Sequence, residues 1–208
     1  MKKNDLRLKI DSLKKSSIKS LIEQRISEFE KIKSPDKIFS ELCFCLLTAN
    51  FKADKSIEMQ NNLSKDFLYS NEQKLALELK EYGHRFWEQR AKRIILARNK
   101  KKDLIKLLKL EKNEQILRNW IVKNIQGLGL KEASHFLRNI GYKNLAIIDF
   151  HIINILVKYN LISELKSLTP RKYLEIENIL KEISLKTKLD LARLDLYLWY
   201  METGKVLK

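Results

Sequence analysis

The chain has 208 residues, enough for one sizeable core or two small lobes, and with 44% hydrophobic residues it is expected to fold. Five Gly and two Pro argue for long helices with short connections and little sheet. No apolar run is long enough to span a membrane, the charged start MKKNDLRLKIDSLKK reads as no secretory segment, and a net charge of +16 suits a solvated, lysine-rich surface or a polyanionic partner equally well.

Residues 5–33 read as one or two amphipathic helices, with Ile18, Leu21, Ile22, Ile26, Phe29 and Ile32 on one core-facing stripe. Ser34-Pro35 is a cap followed by a first-turn proline. It opens a helix over about 35–49 whose apolar run, Leu42 to Leu47, suits the most buried helix of the fold. Cys43 and Cys45 lie on it one residue apart; with no C-x-x-C, they read as small apolar groups and not as a redox pair or zinc site. Asn50 closes this helix, a common C-terminal role for asparagine. Two helices follow, over 54–64 and 70–82, the second opened by a capping box, Ser70-x-x-Gln73.

Next comes Gly83-His84-Arg85-Phe86-Trp87. Adjacent aromatics at a helix start serve core packing, or else a platform on which flat bases stack. His84 reads as a structural hydrogen-bonding residue. The helix over 87–101 is densely basic, with Arg90, Lys92, Arg93, Arg98, Lys100, Lys101 and Lys102. Such a run is ordinarily a solvated face.

Residues 121–151, IVKNIQGLGLKEASHFLRNIGYKNLAIIDFH, hold three of the five glycines. Helical periodicity stops at Ile125, breaks at Gln126-Gly127-Leu128-Gly129 and resumes from Lys131, so the spacing predicts helix, tight hairpin, helix. Gly141 then ends the second helix in a left-handed turn. Outward backbone N–H groups at the hairpin, backed by a helix N-terminus, suit a phosphate. A helix-hairpin-helix of this kind grips nucleic acid by its backbone without reading sequence. Lys131 opens the second helix, which carries the chain roughly 14 Å at about 1.5 Å per residue. Beyond Gly141, residues 142–148 span up to about 23 Å if extended, enough to return Asp149 to the neighbourhood of Lys131. Asp149 is also a favoured N-cap for the helix FHIINILVKYN. Thr169-Pro170 starts a helix over about 170–183. A last helix over about 190–203 buries Leu191, Leu194, Leu198 and Met201, and Gly204 ends it. A tail as short as Lys205–Lys208 ordinarily frays.

Together with ELCFCLLTAN (41–50), GHRFWEQRA (83–91), RKYLEIENIL (171–180) and DLYLWY…TGKVLK (195–208), the stretch GLGLKEASHFLRNIGYKNLAIIDFH resembles the helix-hairpin-helix DNA glycosylases. Within them it is most similar to the type-2 8-oxoguanine DNA glycosylase/lyases of archaea and some thermophilic bacteria. The resemblance covers nearly the whole chain. It implies an all-α, two-lobed fold with an active-site cleft between a central lobe, 35–148, and a terminal lobe, 1–34 plus 149–208. It implies a catalytic Lys131 and Asp149, a base sandwiched by Phe86 and Trp199 and recognised by Lys208 with its carboxylate, Asn50 filling the gap left by the extruded base, and Gly127 and Gly129 at the DNA backbone. The expected partner is duplex DNA containing oxidised guanine, bound by a cytoplasmic monomer without metal or cofactor. No cysteine follows Cys45, which excludes the iron–sulfur subtype. Relatives usually carry a basic residue between the aspartate and the following histidine. Phe150 stands there, which weakens a phosphate contact at that position.

The chemistry is consistent with these residue types. A base in a duplex must leave the stack before it can be cut. Bond cleavage leaves positive charge on the sugar, which a carboxylate stabilises. An amine attacks only when neutral, whereas free lysine titrates at about 10.4, so its surroundings must favour the neutral form, as a helix N-terminus does. A terminal carboxylate accepts the N7–H that 8-oxoguanine has and guanine lacks. The competing readings are a non-catalytic DNA-binding module and a glycosylase for a different lesion.

Overall fold

Why the chain is nearly all helix is visible at its caps. The computed structural model describes residues 3–208, with side chains from residue 5 onward. Twelve helices lie among the described residues: α1 (Lys3–Leu13), α2 (Ile18–Glu30), α3 (Pro35–Thr48), α4 (Ala53–Tyr69), α5 (Glu72–Glu81), α6 (Trp87–Asn99), α7 (Lys101–Leu110), α8 (Glu114–Asn124), α9 (Leu130–Asn139), α10 (Phe150–Lys158), α11 (Pro170–Thr187) and α12 (Leu191–Thr203). None is long and apolar enough to cross a membrane. Ser34 and Thr169 cap α3 and α11, each with proline in the first turn, as their sequences predict. The cap of α5 differs from the expected capping box. Asn71 accepts the N–H of Lys74, while the Ser70 hydroxyl donates to Asp66. Asparagine caps at least as well as serine, and Ser70 is engaged by the preceding helix.

Two compact units divide the chain, Ile32–Ile140 and Met1–Lys31 with Gly141–Lys208. In the first, α3 is the buried centre: Phe39 and every residue from Leu42 to Leu47 are fully enclosed. Burial pushes the Cys43 thiol well up, so it stays a neutral apolar group. Glu41, also buried, accepts from Gln60 at 2.9 Å and from Asn139 at 3.0 Å, fixing α4 and α9 against α3. The basic run splits by role. Arg90 is buried, and Arg98 donates to the carbonyls of Asp66, Phe67 and Ser70, satisfying the open end of α4. Lys101 and Lys102, the end of that run, open a separate helix, α7, with Leu104 buried.

In the second unit Ile22, Ile26 and Phe29 of α2 pack with Ala192, Leu196 and Tyr197 of α12 and with Val206. Arg193 binds Glu23 at 2.8 Å and also Asp190, tying α12 to α2. The tail is therefore not frayed: Val206 is part of the core. The second segment of this unit begins at Gly141, with residues 146–148 held by α11. Glu177 accepts the Ala146 N–H at 3.0 Å, and the Tyr173 hydroxyl donates to the Ala146 carbonyl at 2.6 Å. An extended segment without sheet partners thus satisfies its backbone with buried side chains.

Candidate active site

The hairpin lies between α8 and α9. Gly127 has φ +98°, a conformation closed to most L-residues. A Cβ on it would lie 2.6 Å from Arg93 Cδ and 2.9 Å from Nη1, so the glycine also makes room for the arginine of α6. Gly129 is extended, with φ −91°, and its conformation does not require glycine. It stands at the N-cap of α9 and has no side chain to cap with. Instead Glu132 reaches back and accepts the Gly129 N–H at 3.3 Å. The Leu128 N–H is taken by the Ile125 carbonyl at 3.3 Å. The anion-binding nest expected from the spacing is thus partly filled by the protein itself. Gly127→Ala is expected to destabilise by about 1–2 kcal/mol from its backbone alone, plus the displacement of Arg93. Thermal unfolding measures the first, and the salt dependence of binding to undamaged duplex checks whether the hairpin loses a phosphate contact.

Lys131 occupies the first turn of α9, its side chain 25% exposed, with Nζ 3.7 Å from Glu132 Oε1. The helix N-terminus and the amine are placed as the motif implies. The neighbouring carboxylate was not anticipated, although Gly-x-x-Glu ahead of an apolar stripe is a capping-box pattern that could have found it.

Asn50 and Phe86 belong to the same unit as the hairpin. Asn50 follows the C-cap of α3 in the left-handed region, φ +59°, and is exposed. Asparagine tolerates that conformation better than most residues, so its helix-ending role is real. Phe86 precedes α6 and is half-buried, with the Arg85 and Arg90 guanidinium groups 4.9 and 5.7 Å from its ring centroid. His84 binds the segment to α3: its Nε2 donates to the Leu47 carbonyl at 3.0 Å, and its Nδ1 accepts the Phe86 N–H at 3.0 Å. The second bond fixes the tautomer. Burial depresses the His84 pKa, opposed by the Leu47 hydrogen bond. Helix α6 therefore gathers the Asn50 turn, Phe86 and, through Arg93, the hairpin.

The other unit holds Asp149, Trp199 and Lys208. Asp149 caps α10, accepting the Ile152 N–H at 3.0 Å. Phe150, in the position noted as departing from the family, is 65% exposed and packs 3.8 Å from the His151 ring. His151 in turn meets Trp199 edge to face at 4.5 Å. The Trp199 indole N–H and His151 Nδ1 are buried without a hydrogen-bond partner among the described residues. Lys208 is half-buried two residues after the anchored Val206.

This geometry has close counterparts. Residues 22–189 match the family model described as 8-oxoguanine DNA glycosylase. The chain is 48% identical over 206 residues to the 8-oxoguanine DNA glycosylase/AP lyase of Korarchaeum cryptofilum, covering 99% of each. It is similar to the crystal structure of the Methanocaldococcus jannaschii 8-oxoguanine glycosylase/lyase in complex with a 15mer DNA containing 8-oxoguanine, with TM-score 0.94, 48% identity, and 98% and 99% of the two chains covered. It is also similar to the 8-oxoguanine DNA glycosylase of Thermotoga maritima, with TM-score 0.92, 36% identity and 99% coverage of both. With its hairpin, its lysine-led second helix and matches of this extent, the chain belongs to the helix-hairpin-helix 8-oxoguanine DNA glycosylase family.

Proposed function

We propose that this protein is a bifunctional base-excision repair enzyme. It extrudes 8-oxoguanine from duplex DNA, removes the base and cleaves the abasic strand by β-elimination. The observation that carries the reading is an amine at the N-terminus of α9, immediately after the glycine hairpin, in a chain nearly half identical to glycosylase/AP lyases along its length. Neutral Lys131 attacks the anomeric carbon, and the purine departs with the bonding electrons. The attacking nitrogen loses a proton and the sugar ring opens as the C1′–O4′ bond breaks, leaving O4′ as a hydroxyl and C1′ joined to Lys131 as a protonated Schiff base; this acidifies the neighbouring C2′–H, whose loss expels the 3′ phosphate. Asp149 stabilises the positive charge that develops on the sugar. Phe86 and Trp199 stack on the extruded base, and Lys208 takes part in recognising it. Asn50 fills the vacancy in the duplex, while Gly127 and Gly129 meet the phosphate backbone. The protein acts as a monomer in the cytoplasm, at the nucleoid. Borohydride trapping across duplexes that differ only in the lesion tests the reading. An adduct strongest on 8-oxoguanine supports it. Trapping strongest on an oxidised pyrimidine or alkylated purine points to a different substrate, and no trapping at any lesion reduces the protein to a DNA-binding module.

Removing Lys208 leaves the Val206 anchor in place. The truncated protein is expected to lose discrimination between 8-oxoguanine and guanine by about tenfold or more, since one unpaired buried polar group costs that much. Strand cleavage at a pre-formed abasic site changes far less. Equal loss in the two assays excludes Lys208 from base recognition.

A further inference from the structure

We infer that His84 is a positioning residue for base removal: it fastens the backbone of Phe86 to the end of α3, the turn that carries Asn50. The inference rests on the proposed stacking role of Phe86. Its physical basis is the open end of α3, whose last carbonyls have no partner within the helix. Two side chains from the 84–90 segment supply the missing donors. His84 Nε2 donates to Leu47 O at 3.0 Å, and Arg90 Nη2 donates to Ala49 O at 2.5 Å. Neither comes from α3 itself, so the turn after α3 takes its position from this segment.

His84 does something Arg90 does not. It is 2% exposed and uses both ring nitrogens, the second accepting the Phe86 N–H at 3.0 Å. Phe51, next to Asn50, stacks on the imidazole at 4.2 Å and 26°. A single flat ring thus meets the carbonyl end of α3, the residue beyond Asn50 and the amide of Phe86. Movement of the Phe86 backbone away from α3 breaks a partly buried hydrogen bond. The flat ring that must receive a base and the turn that must enter the duplex are held at one separation, so neither reorganises when DNA binds. Preorganisation of this kind is worth rate and not merely stability.

The test uses His84→Gln and Phe86→Ala, singly and together, in the full-length protein. The amide nitrogen of His84→Gln can still donate to Leu47 O, but its oxygen sits on a longer, flexible side chain and is no longer held by a rigid ring against the Phe86 N–H; His84→Asn keeps an acceptor near that N–H, is too short to reach Leu47 O, and serves if the first variant does not fold. Either breaks the tie, while Arg90 still holds the Asn50 turn. Single-turnover removal of 8-oxoguanine is expected to fall by up to roughly tenfold, the rate equivalent of one lost hydrogen bond. Strand cleavage at a pre-formed abasic site, where no base awaits a stacking partner, stays within about twofold. The double variant loses little beyond Phe86→Ala, because a ring that is gone needs no positioning. Parallel loss of both activities, or additive losses in the double variant, overturns the inference and leaves His84 a fold-stabilising residue. Unchanged excision in the His84 variants, with Phe86→Ala impaired, overturns it as well. Unchanged excision in Phe86→Ala itself removes the stacking reading, and the inference with it.

Discussion

Lys131→Gln is expected to abolish the borohydride-trapped adduct on 8-oxoguanine duplex and to lower strand cleavage by at least about a thousandfold, the scale of losing a covalent nucleophile. Its effect is confined to chemistry. The ammonium has one close acidic neighbour, Glu132 at 3.7 Å, and the side chain is 25% exposed. A loose, partly exposed pair of this kind contributes about 0–1 kcal/mol. Glutamine keeps most of the length and the polarity, so the thermal midpoint should move little. Duplex affinity should persist as well, because hairpin and basic surface are untouched. The chain carries 42 Lys and Arg residues, so the outcome is informative in both directions. An adduct that survives in the variant identifies another amine and detaches the hairpin from the chemistry. Glu132 sharpens the expectation, since the resting amine must leave that carboxylate before it reaches carbon. Glu132→Gln keeps an acceptor for the Gly129 N–H and removes the charge, and so separates capping from pairing.

What could be read from the sequence was local, and what could not was tertiary. Ser34-Pro35, Thr169-Pro170, Gly141 and the break at 126–129 each mark a helix end through groups a few residues apart, and each lies where it was expected. The burial of α3 followed from an apolar run too continuous for a half-exposed helix. Ser70 failed for the same kind of reason: Asn71 was an equally good local candidate, and the contact with Asp66 decided between them. Arg90 and Arg98 looked like their neighbours in a basic run, because the carbonyls they satisfy belong to helices about 30 to 40 residues away in sequence. The start of the second unit at Gly141 depends on Glu177 and Tyr173 of α11 holding residues 146–148, and nothing in 142–148 announces that. Of the site residues, the hairpin was legible because backbone geometry demands glycine at 127. The roles of Asn50, Phe86, Trp199 and Lys208 came from resemblance alone, since an exposed asparagine or a half-buried aromatic has many ordinary uses.

Asp149→Asn removes a charge while preserving a cap, and for that reason isolates catalysis from folding. Asp149 Oδ1 accepts the Ile152 N–H at 3.0 Å at the start of α10. Asparagine is as good an N-cap as aspartate. The substitution costs only the attraction between the carboxylate and the helix N-terminus, about 0.3–1 kcal/mol. On the proposed mechanism, base removal depends on something asparagine cannot supply, a full negative charge near a sugar that becomes cationic as the glycosidic bond breaks. Single-turnover excision of 8-oxoguanine is expected to fall on the order of a hundredfold or more, comparable with removing one aligned electrostatic group from an active site. Cleavage at a pre-formed abasic site falls less, because no glycosidic bond remains to break. Asp149→Ala provides the contrast: it loses charge and cap together, so it shows the same loss of excision plus about 1 kcal/mol of destabilisation. If Asp149→Asn excises at the wild-type rate while Asp149→Ala is merely less stable, the carboxylate serves only to start α10, and another group must stabilise the developing cation.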